Sequence, residues 1–339
     1  MDDELRVGDI SVWSRMSKPF WNEQEGRLRA LWRLLLQLVL AVVVTVALQI
    51  ALSAALGGQS IFSAVLSEQN VATLGFVVSV WLAARFLDRR PFADFGFRVD
   101  KTWWLDVGFG LALGAIIVVG MFLTEWANGW MIITDTFHTA GTGLPFALVI
   151  VLSLVTFAGV ALFEELLSRG YQLRNIAEGL NFPFVGPRMA VALALLLTSS
   201  VFGLLHLIMH SNADAGFLDN VLGVLPQTLG GLMFGVAYVL TGQLAIPIGI
   251  HTAVNFFGTS IFDAGEYGFH SPSLFTVEPT AAGEALHASA LPNALLHASF
   301  YALVVVLIVL WVRRRYGGIS LHTSLAYPPQ RPDRVLVNR

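Results

Sequence analysis

Residues 144–172 read LPFALVIVLSLVTFAGVALFEELLSRGYQ, an apolar run that leads into two adjacent glutamates and an arginine. A helix needs about 20 apolar residues to cross a bilayer, and this run supplies them before the first glutamate. Charged side chains in hydrocarbon cost about 2.5–3.5 kcal/mol each on insertion scales, so they are rare and mark functional candidates. Two neighbouring carboxylates are harder to explain, because like charges disfavour each other's ionisation. The run predicts a membrane-spanning helix with chemistry near its end.

The composition of the whole chain agrees with this reading. Of the 339 residues, 55% are hydrophobic and 13% are charged, and the mean hydropathy is +0.69. An ordinary soluble domain has about 25% charged residues. We therefore expect an all-α, polytopic membrane protein with short tails. The sequence contains no cysteine, which excludes disulfides, thiolate metal sites and cysteine nucleophiles.

The apolar runs predict eight transmembrane helices enclosing a polar cavity. They cover about residues 31–56, 70–87, 103–123, 144–167, 189–209, 219–240, 243–259 and 292–312. The seventh is short and polar, so hydropathy alone does not secure it. All 20 Lys and Arg residues fall in the N-terminal segment, the 85–101 loop, the 169–188 region or the tail from Arg313. Eight spans with both termini cytoplasmic put every basic residue on the inner side of the cell membrane, as the positive-inside rule expects.

Three parts of the chain follow from this layout. Residues 1–30 carry aromatic side chains among basic ones, which suits an amphipathic cytoplasmic segment lying on the membrane surface. A partly ordered tail explains residues 1–30 equally well. Residues 31–312 form the transmembrane domain, with a motif core at 145–260. Residues 313–339 are expected to be a disordered basic tail, and the acidic 260–291 stretch an extracytoplasmic loop.

Further polar residues recur in the later apolar runs at helical spacing. If span four continues to about residue 179, Glu164 lies ~22 Å before its end, and His206 lies ~25 Å along span five. The two then reach a similar depth on antiparallel neighbours. His251 lies ~13 Å into span seven, and Asn255 shares its helix face. Glu164 and Glu165 differ by about 100° around the helix, so one faces the histidines while the other pairs with Arg169.

A carboxylate, two imidazoles and a carboxamide around a wet cavity suit hydrolysis. A buried carboxylate can take a proton from water, and imidazole or amide groups can stabilise an oxyanion, or the histidines can bind a metal. Each residue also has a plainer explanation. The glutamates could snorkel to the interface, His206 could be interfacial, and Asn255 could serve helix packing.

Three motifs in order carry a resemblance to a known family. They are EELLSR at 164–169, FGLLH at 202–206 and HTAVN at 251–255. They match the EExxxR, FxxxH and HxxxN/D pattern of the CPBP intramembrane proteases, also called the Abi or CAAX-protease type, which include Rce1-like prenyl-protein endopeptidases. The chain departs from many members at Ser168, where they have Phe.

The resemblance implies an intramembrane endopeptidase, a hydrolase that is either metal- or glutamate-dependent, acting on a membrane-associated or lipidated peptide or protein. It implies that Glu164 activates the attacking water and that Glu165 and Arg169 support it. His206, His251 and Asn255 would stabilise the oxyanion. If a metal is used, Zn²⁺ would be held by Glu164, His206 and His251; a metal-free mechanism is the alternative. Membrane lipids and the substrate are the expected partners, with no nucleic acid.

Two other functional classes stay open at this point. A non-proteolytic membrane protein, such as a transporter or a bacteriocin-immunity-type factor, could use the same polar cavity, because buried carboxylates also couple ions and protons. The second class is a scaffold protein in which the motifs serve only helix packing. Other intramembrane protease classes fit less well, because the sequence has no His-Glu-x-x-His and no Gly-x-Ser-x-Gly.

Overall fold

The computed structural model describes residues 18–56, 68–210, 217–263 and 271–329. This part of the chain is mostly helical. Its helices are α1 (Ala30–Leu56), α2 (Glu68–Ala83), α3 (Lys101–Ala127), α4 (Phe146–Leu180), α5 (Gly186–His210), α6 (Phe217–Gly223), α7 (Leu225–Thr241), α8 (Ala245–Phe256), α9 (Ala281–Ala288) and α10 (Ala290–Tyr316). Its strands are β1 (Trp21–Asn22), β2 (Arg27–Leu28), β3 (Met131–His138), β4 (Phe262–Asp263) and β5 (Ser273–Pro279).

Seven helical segments of the described chain are long and apolar enough to cross a membrane. They are Ala30–Ala55, Gln69–Asp88, Lys101–Ala127, Phe146–Leu180, Gly186–Leu207, Asn220–Thr241 and Leu291–Tyr316. They match the predicted spans one to six and eight. The predicted seventh span is α8, a helix of only 12 residues followed by a π-helical turn at Phe257–Ile261. The eight-span layout therefore stays a prediction.

Helix α4 is the longest of these segments, at 35 residues. It runs as α-helix over Phe146–Glu165, as π-helix over Leu166–Leu173 and as α-helix again over Arg174–Leu180. The predicted continuation of span four to about residue 179 is confirmed. Its last turns form the polar end of the helix, where Glu178 meets the arginines of other segments.

Helices α3 and α8 approach each other closely because glycines line their contact. A Cβ added at Gly110 would lie 2.4 Å from the carbonyl oxygen of Ile246, and one at Gly114 would lie 2.4 Å from that of Ile250. A Cβ at Gly249 would lie 2.4 Å from the carbonyl oxygen of Val107. Such small-residue contacts let helix backbones approach in a membrane. They hold the short α8 against the longer α3.

The basic segments converge at one end of the helices. Arg33 Nη1 lies 2.6 Å from Asp88 Oδ1 and Nη2 lies 3.1 Å from Glu178 Oε2. Glu178 also pairs with Arg27 at 2.7 Å and with Arg90. Burial lowers the pKa of the Arg90 guanidinium, while the Glu178 carboxylate opposes that shift. Ion pairs thus tie the start of α1, the end of α2 and the end of α4 together.

The opposite end carries a small sheet that the sequence did not predict. Its strand order is β3-β5-β4, with β3 antiparallel to β5 and β4 parallel to β5. Phe262 of β4 stacks on Phe122 of α3 with 4.2 Å between ring centroids. The expected 260–291 loop is thus partly strand and helix α9, while 264–270 lie outside the described residues. The pairing is between distant segments, which local patterns do not reveal.

The two terminal segments differ from expectation where the structure describes them. Residues 18–29 form a hairpin of β1 and β2, and the buried Arg27 anchors it. In the tail, the turn Thr323–Ala326 packs on the bundle with Leu325 and Ala326 buried. Asn181 Nδ2 also donates to the Ala326 carbonyl at 2.9 Å. The turn Thr323–Ala326 therefore has a fixed place against the bundle, and the disordered tail over 313–339 otherwise stays a prediction. Residues 1–17 and 330–339 lie outside the described part.

Candidate active site

The first motif lies where α4 changes its winding. Glu164 and Glu165 close the α-helical part, and Arg169 lies in the π-helical part. Short π-helical segments occur frequently at functional sites. Here two of the three charged side chains, Glu165 and Arg169, are almost fully buried in the bundle, while Glu164 is partly exposed.

Glu165 is the central acceptor of the site. Its Oε1 accepts a hydrogen bond from Arg169 Nη1 at 3.0 Å and lies 2.8 Å from His251 Nδ1. Its other oxygen, Oε2, has no hydrogen-bond partner among the described residues. The expected Glu165–Arg169 pair is present. The bond to His251 is an addition that helix geometry did not predict, because it joins α4 to α8.

Arg169 connects the same carboxylate to two further helices. Its Nη2 donates to the carbonyl of Gly231 in α7 at 2.9 Å. Its guanidinium carbon lies 4.6 Å from the ring centroid of Phe202 and 5.3 Å from that of Phe234. Cation–π contacts of this kind are strongest when water is excluded. Arg169 therefore compensates the charge of Glu165 without reaching solvent.

His251 lies between the two glutamates. With Nδ1 at Glu165, its Nε2 lies 3.8 Å from Glu164 Oε2. A carboxylate held by an arginine is an acceptor, so Nδ1–H donates to Glu165 and Nε2 faces Glu164. Phe234 stacks on the imidazole with 4.9 Å between centroids and 10° between planes. The ring is thus held by a hydrogen bond and by a parallel aromatic face.

Glu164 differs from its neighbour in exposure and in partners. Its side chain is 24% exposed, whereas that of Glu165 is 0% exposed. Arg169 pairs with Glu165, and Glu164 is therefore the partly exposed carboxylate that can contact water. The predicted asymmetry of the two glutamates is consistent with this geometry.

The second motif joins the site through Phe202. His206 Nδ1 lies 2.8 Å from the Phe202 carbonyl oxygen, and the two rings are 4.6 Å apart. The Phe202 ring also lies 6.2 Å from the His251 ring and contacts Arg169. Since the backbone carbonyl accepts from Nδ1, the orientation of the His206 ring is set by its own helix. The FxxxH spacing therefore places one aromatic ring between all three motifs.

Asn255 lies one turn beyond His251 on α8. It lines a cavity of about 280 Å³ whose wall also includes Glu125, Phe262, His297 and Tyr301. In the described structure the other five predicted site residues are linked by direct contacts or through Phe202. None of those five described residues lines this cavity, so Asn255 is connected to them through helix α8 alone.

The predicted zinc ligands do not form one cluster. Glu164 and His251 face each other, but no group of three His, Asp or Glu residues within the described ranges is arranged to hold a metal ion. Three protein ligands plus water are what a catalytic zinc site needs. The set of Glu164, His206 and His251 is therefore not assembled for a metal in this conformation.

Two residues that the sequence did not single out complete the site. Phe234 stacks on His251, and the Gly231 carbonyl accepts from Arg169. Both belong to α7, and Gly231 is the first glycine of a G-x-x-x-G pair ending at Gly235. That pair signals close packing, but its spacing occurs by chance in Gly-rich helices. The contact with Arg169 is what distinguishes Gly231 from a glycine that has this spacing by chance.

Comparison with known proteins gives one family. Residues 145–257, about a third of the chain, match the family model described as type II CAAX prenyl endopeptidase Rce1-like. Comparisons with curated proteins and with solved structures give no significant match. The matched segment runs from the start of α4 to the end of α8 and contains all three motifs. The predicted resemblance is confirmed: residues 145–257 of this chain are similar to the Rce1-like CAAX endopeptidase family.

Proposed function

We propose that this protein is an intramembrane endopeptidase of the CAAX type. Its substrate would be a membrane-associated or lipidated peptide or protein, cut within the membrane near the cytoplasmic face. The family match over 145–257 supports a membrane-bound hydrolase. The observation that carries the proposal is the His251 imidazole between two carboxylates, 2.8 Å from Glu165 and 3.8 Å from Glu164. Nothing in the described structure favours a transporter or an immunity factor over this reading.

Glu164 is the base in this proposal. Its partly exposed carboxylate takes a proton from a water molecule as the water oxygen attacks the substrate carbonyl carbon. The same proton then passes to the leaving amide nitrogen as the carbon–nitrogen bond breaks. The products are one carboxylate and one amine, and Glu164 returns to its starting state. Arg169 pairs with Glu165 and not with Glu164, so the proton-transfer role falls to Glu164.

Imidazole and amide groups stabilise the tetrahedral intermediate. His251 donates Nδ1–H to Glu165 and His206 donates Nδ1–H to the Phe202 carbonyl, so each ring would stabilise the developing oxyanion as an imidazolium, through a second N–H at Nε2. The carboxamide of Asn255 can add a further donor. Removing a single oxyanion donor commonly costs about 10²–10³ in kcat. Glu165 and Arg169 act through His251 and are positioning residues.

A zinc ion on Glu164, His206 and His251 stays a prediction. When bound, such an ion would polarise the substrate carbonyl and acidify water. No step above requires it.

The decisive experiment is cleavage by a Glu164→Gln variant. The wild type and the variant are reconstituted in liposomes with a panel of lipidated and unlipidated membrane peptides, and products are identified by mass spectrometry. We expect cleavage by the wild type and at least a 10³-fold loss in the variant, which keeps the side-chain shape and loses the base. Glu284→Gln makes the same chemical change on the exposed α9 and should leave the rate unchanged.

The outcomes separate the candidate functions. A purified Glu164→Gln variant that cleaves at the wild-type rate contradicts the assignment of the base. Ion or proton flux that depends on Glu164, with no cleavage of any peptide, would favour the transporter class instead.

We also propose the eight-span layout in the cell membrane, with both termini cytoplasmic and residues 31–312 as the protease domain. The convergence of Arg33, Arg90 and Glu178 at one end supports it. The absence of cysteine permits a direct test. Single cysteines at the exposed positions Ser320 and Thr142 are treated with an impermeant maleimide on intact cells. Labelling of Thr142→Cys alone is expected; labelling of Ser320→Cys would contradict the layout.

A further inference from the structure

A basic pocket lies at the end of the second membrane-spanning segment, away from the candidate active site. It is an open depression of about 520 Å³ lined by Arg85, Phe86, Arg89, Arg90 and Pro91. The spanning segment ends at Asp88, so the pocket lies where the helix leaves the hydrocarbon. No carboxylate belongs to its described wall.

The charge of the pocket is not neutralised by its own segment. Asp88 lies between the arginines in sequence, but its side chain is 0% exposed and pairs with Arg33 in the interior. Arg85 and Arg89 are exposed. Arg90 differs from them, because its side chain is only 1% exposed, pairs with Glu178 and has Nη1 3.8 Å from Asp94 Oδ2. Within the described residues, the exposed Arg85 and Arg89 therefore carry the positive charge that the pocket offers to a ligand.

The backbone at Arg89 points to a function for this turn. Its φ of 53° lies in the left-handed region that normally belongs to glycine at a helix end. An arginine there is disfavoured, and Arg89 is exposed rather than packed in the core. The conformation carries its guanidinium carbon to 5.9 Å from the Trp21 ring centroid, at the edge of the β1 hairpin. Backbone outliers of this kind cluster at ligand sites.

Aromatic side chains mark the membrane level of the pocket. Trp81 is 51% exposed and Phe86 is 66% exposed on the same spanning segment. Exposed aromatics at a helix end are typical of the membrane–water interface. The phosphates of lipid headgroups lie at this level, directly outside the hydrocarbon.

We propose that Arg85 and Arg89 bind the phosphate of an anionic phospholipid, with the buried Arg90 adding positive charge to the wall of the pocket. Guanidinium groups bind phosphate oxygens in a bidentate manner, and Phe86 and Trp81 would contact the acyl chains. The site is separate from the proposed catalytic residues, so it stands whether or not the protein is a protease. A lipid is the favoured source because the pocket opens beside aromatic residues at the membrane surface.

The test counts bound lipid by native mass spectrometry. Detergent-purified protein is titrated with phosphatidylglycerol, with phosphatidylcholine, and with inorganic phosphate. We expect one phosphatidylglycerol to bind more tightly than phosphatidylcholine. The Arg85→Gln/Arg89→Gln variant should bind it about 25-fold more weakly, since each cation near a membrane surface contributes roughly fivefold.

The control removes the same charge elsewhere. Arg313→Gln/Arg314→Gln takes two exposed arginines from the end of α10 and should leave the tight phosphatidylglycerol unchanged. An Arg85→Lys/Arg89→Lys variant keeps the charge and tests whether the turn still folds; it should retain part of the binding. Equal loss in both glutamine variants, or no loss in either, overturns the site. Saturation by inorganic phosphate at equal concentration overturns the lipid as its source.

Discussion

The close contact of α3 with α8 predicts that one added methyl group will misplace His251. Gly110→Ala would put a Cβ 2.4 Å from the Ile246 carbonyl oxygen and 3.0 Å from Gly249 Cα. Both neighbours are backbone atoms that cannot turn aside as a side chain can. An ordinary contact needs about 3.4 Å, so α8 must move by roughly 1 Å.

The magnitude follows from two opposing terms. Overpacking lowers the free energy of unfolding by about 1–3 kcal/mol. Replacing a helical glycine by alanine raises it by about 0.5–1 kcal/mol. The net loss of stability is therefore at most about 2.5 kcal/mol, and the protein should still fold. A displacement of 1 Å at a catalytic group can cost about 10²-fold in rate. We therefore expect Gly110→Ala to lose far more cleavage than stability.

The matched control is on the same helix. Gly108 is exposed, and a Cβ added there meets nothing within 4 Å. Gly108→Ala should gain about 0.5–1 kcal/mol and keep full activity. Thermal unfolding in detergent and peptide cleavage in liposomes are measured for both variants. If Gly110→Ala cleaves as fast as Gly108→Ala, the glycine contact does not position His251, and the reasoning fails.

Two further changes test the buried charges. Glu165→Gln removes the charge that compensates Arg169 and weakens the bond to His251, so we expect about 3–5 kcal/mol of lost stability together with lost cleavage; unfolding at the wild-type temperature would contradict the pairing. Glu178→Gln leaves three buried arginines with one carboxylate fewer and should destabilise by a similar amount while a correctly folded fraction still cleaves. The control is Glu25→Gln, at a side chain that is 27% exposed, and it should cost about 0–1 kcal/mol of stability. If Glu178→Gln and Glu25→Gln unfold at the same temperature, the ion pairs of Glu178 do not stabilise the fold.

Much of the site could be predicted from the sequence because its residues are polar in apolar surroundings. The free-energy cost of polar side chains in hydrocarbon is enough to single out Glu164, Glu165, Arg169, His206 and His251. The pairing of Glu165 with Arg169 follows from their i,i+4 spacing on one helix. The extension of α4 into a polar end also followed from a count of residues, and the structure confirms it.

The remaining parts depended on contacts between distant segments. The bond from Glu165 to His251 joins residues 86 positions apart, and the β3–β5 pairing joins segments more than 130 residues apart. The buried tail residue Leu325 is equally remote from the helices it contacts. No local pattern reports such pairs, since hydropathy records how apolar a residue is and not what it touches.

The amino-acid sequence by itself determined that this protein lies in a membrane and which polar residues it places there. Its apolar runs require a bilayer, because no soluble core could bury them. Its three motifs contain the polar residues whose burial in the hydrocarbon costs free energy. Only the tertiary structure decided their arrangement. Arg169 is shared between Glu165 and α7, His251 lies between both glutamates, and Phe202 separates the two histidines. The physical reason is that helix packing, set by glycines on α3 and α8, fixes which buried charge meets which imidazole.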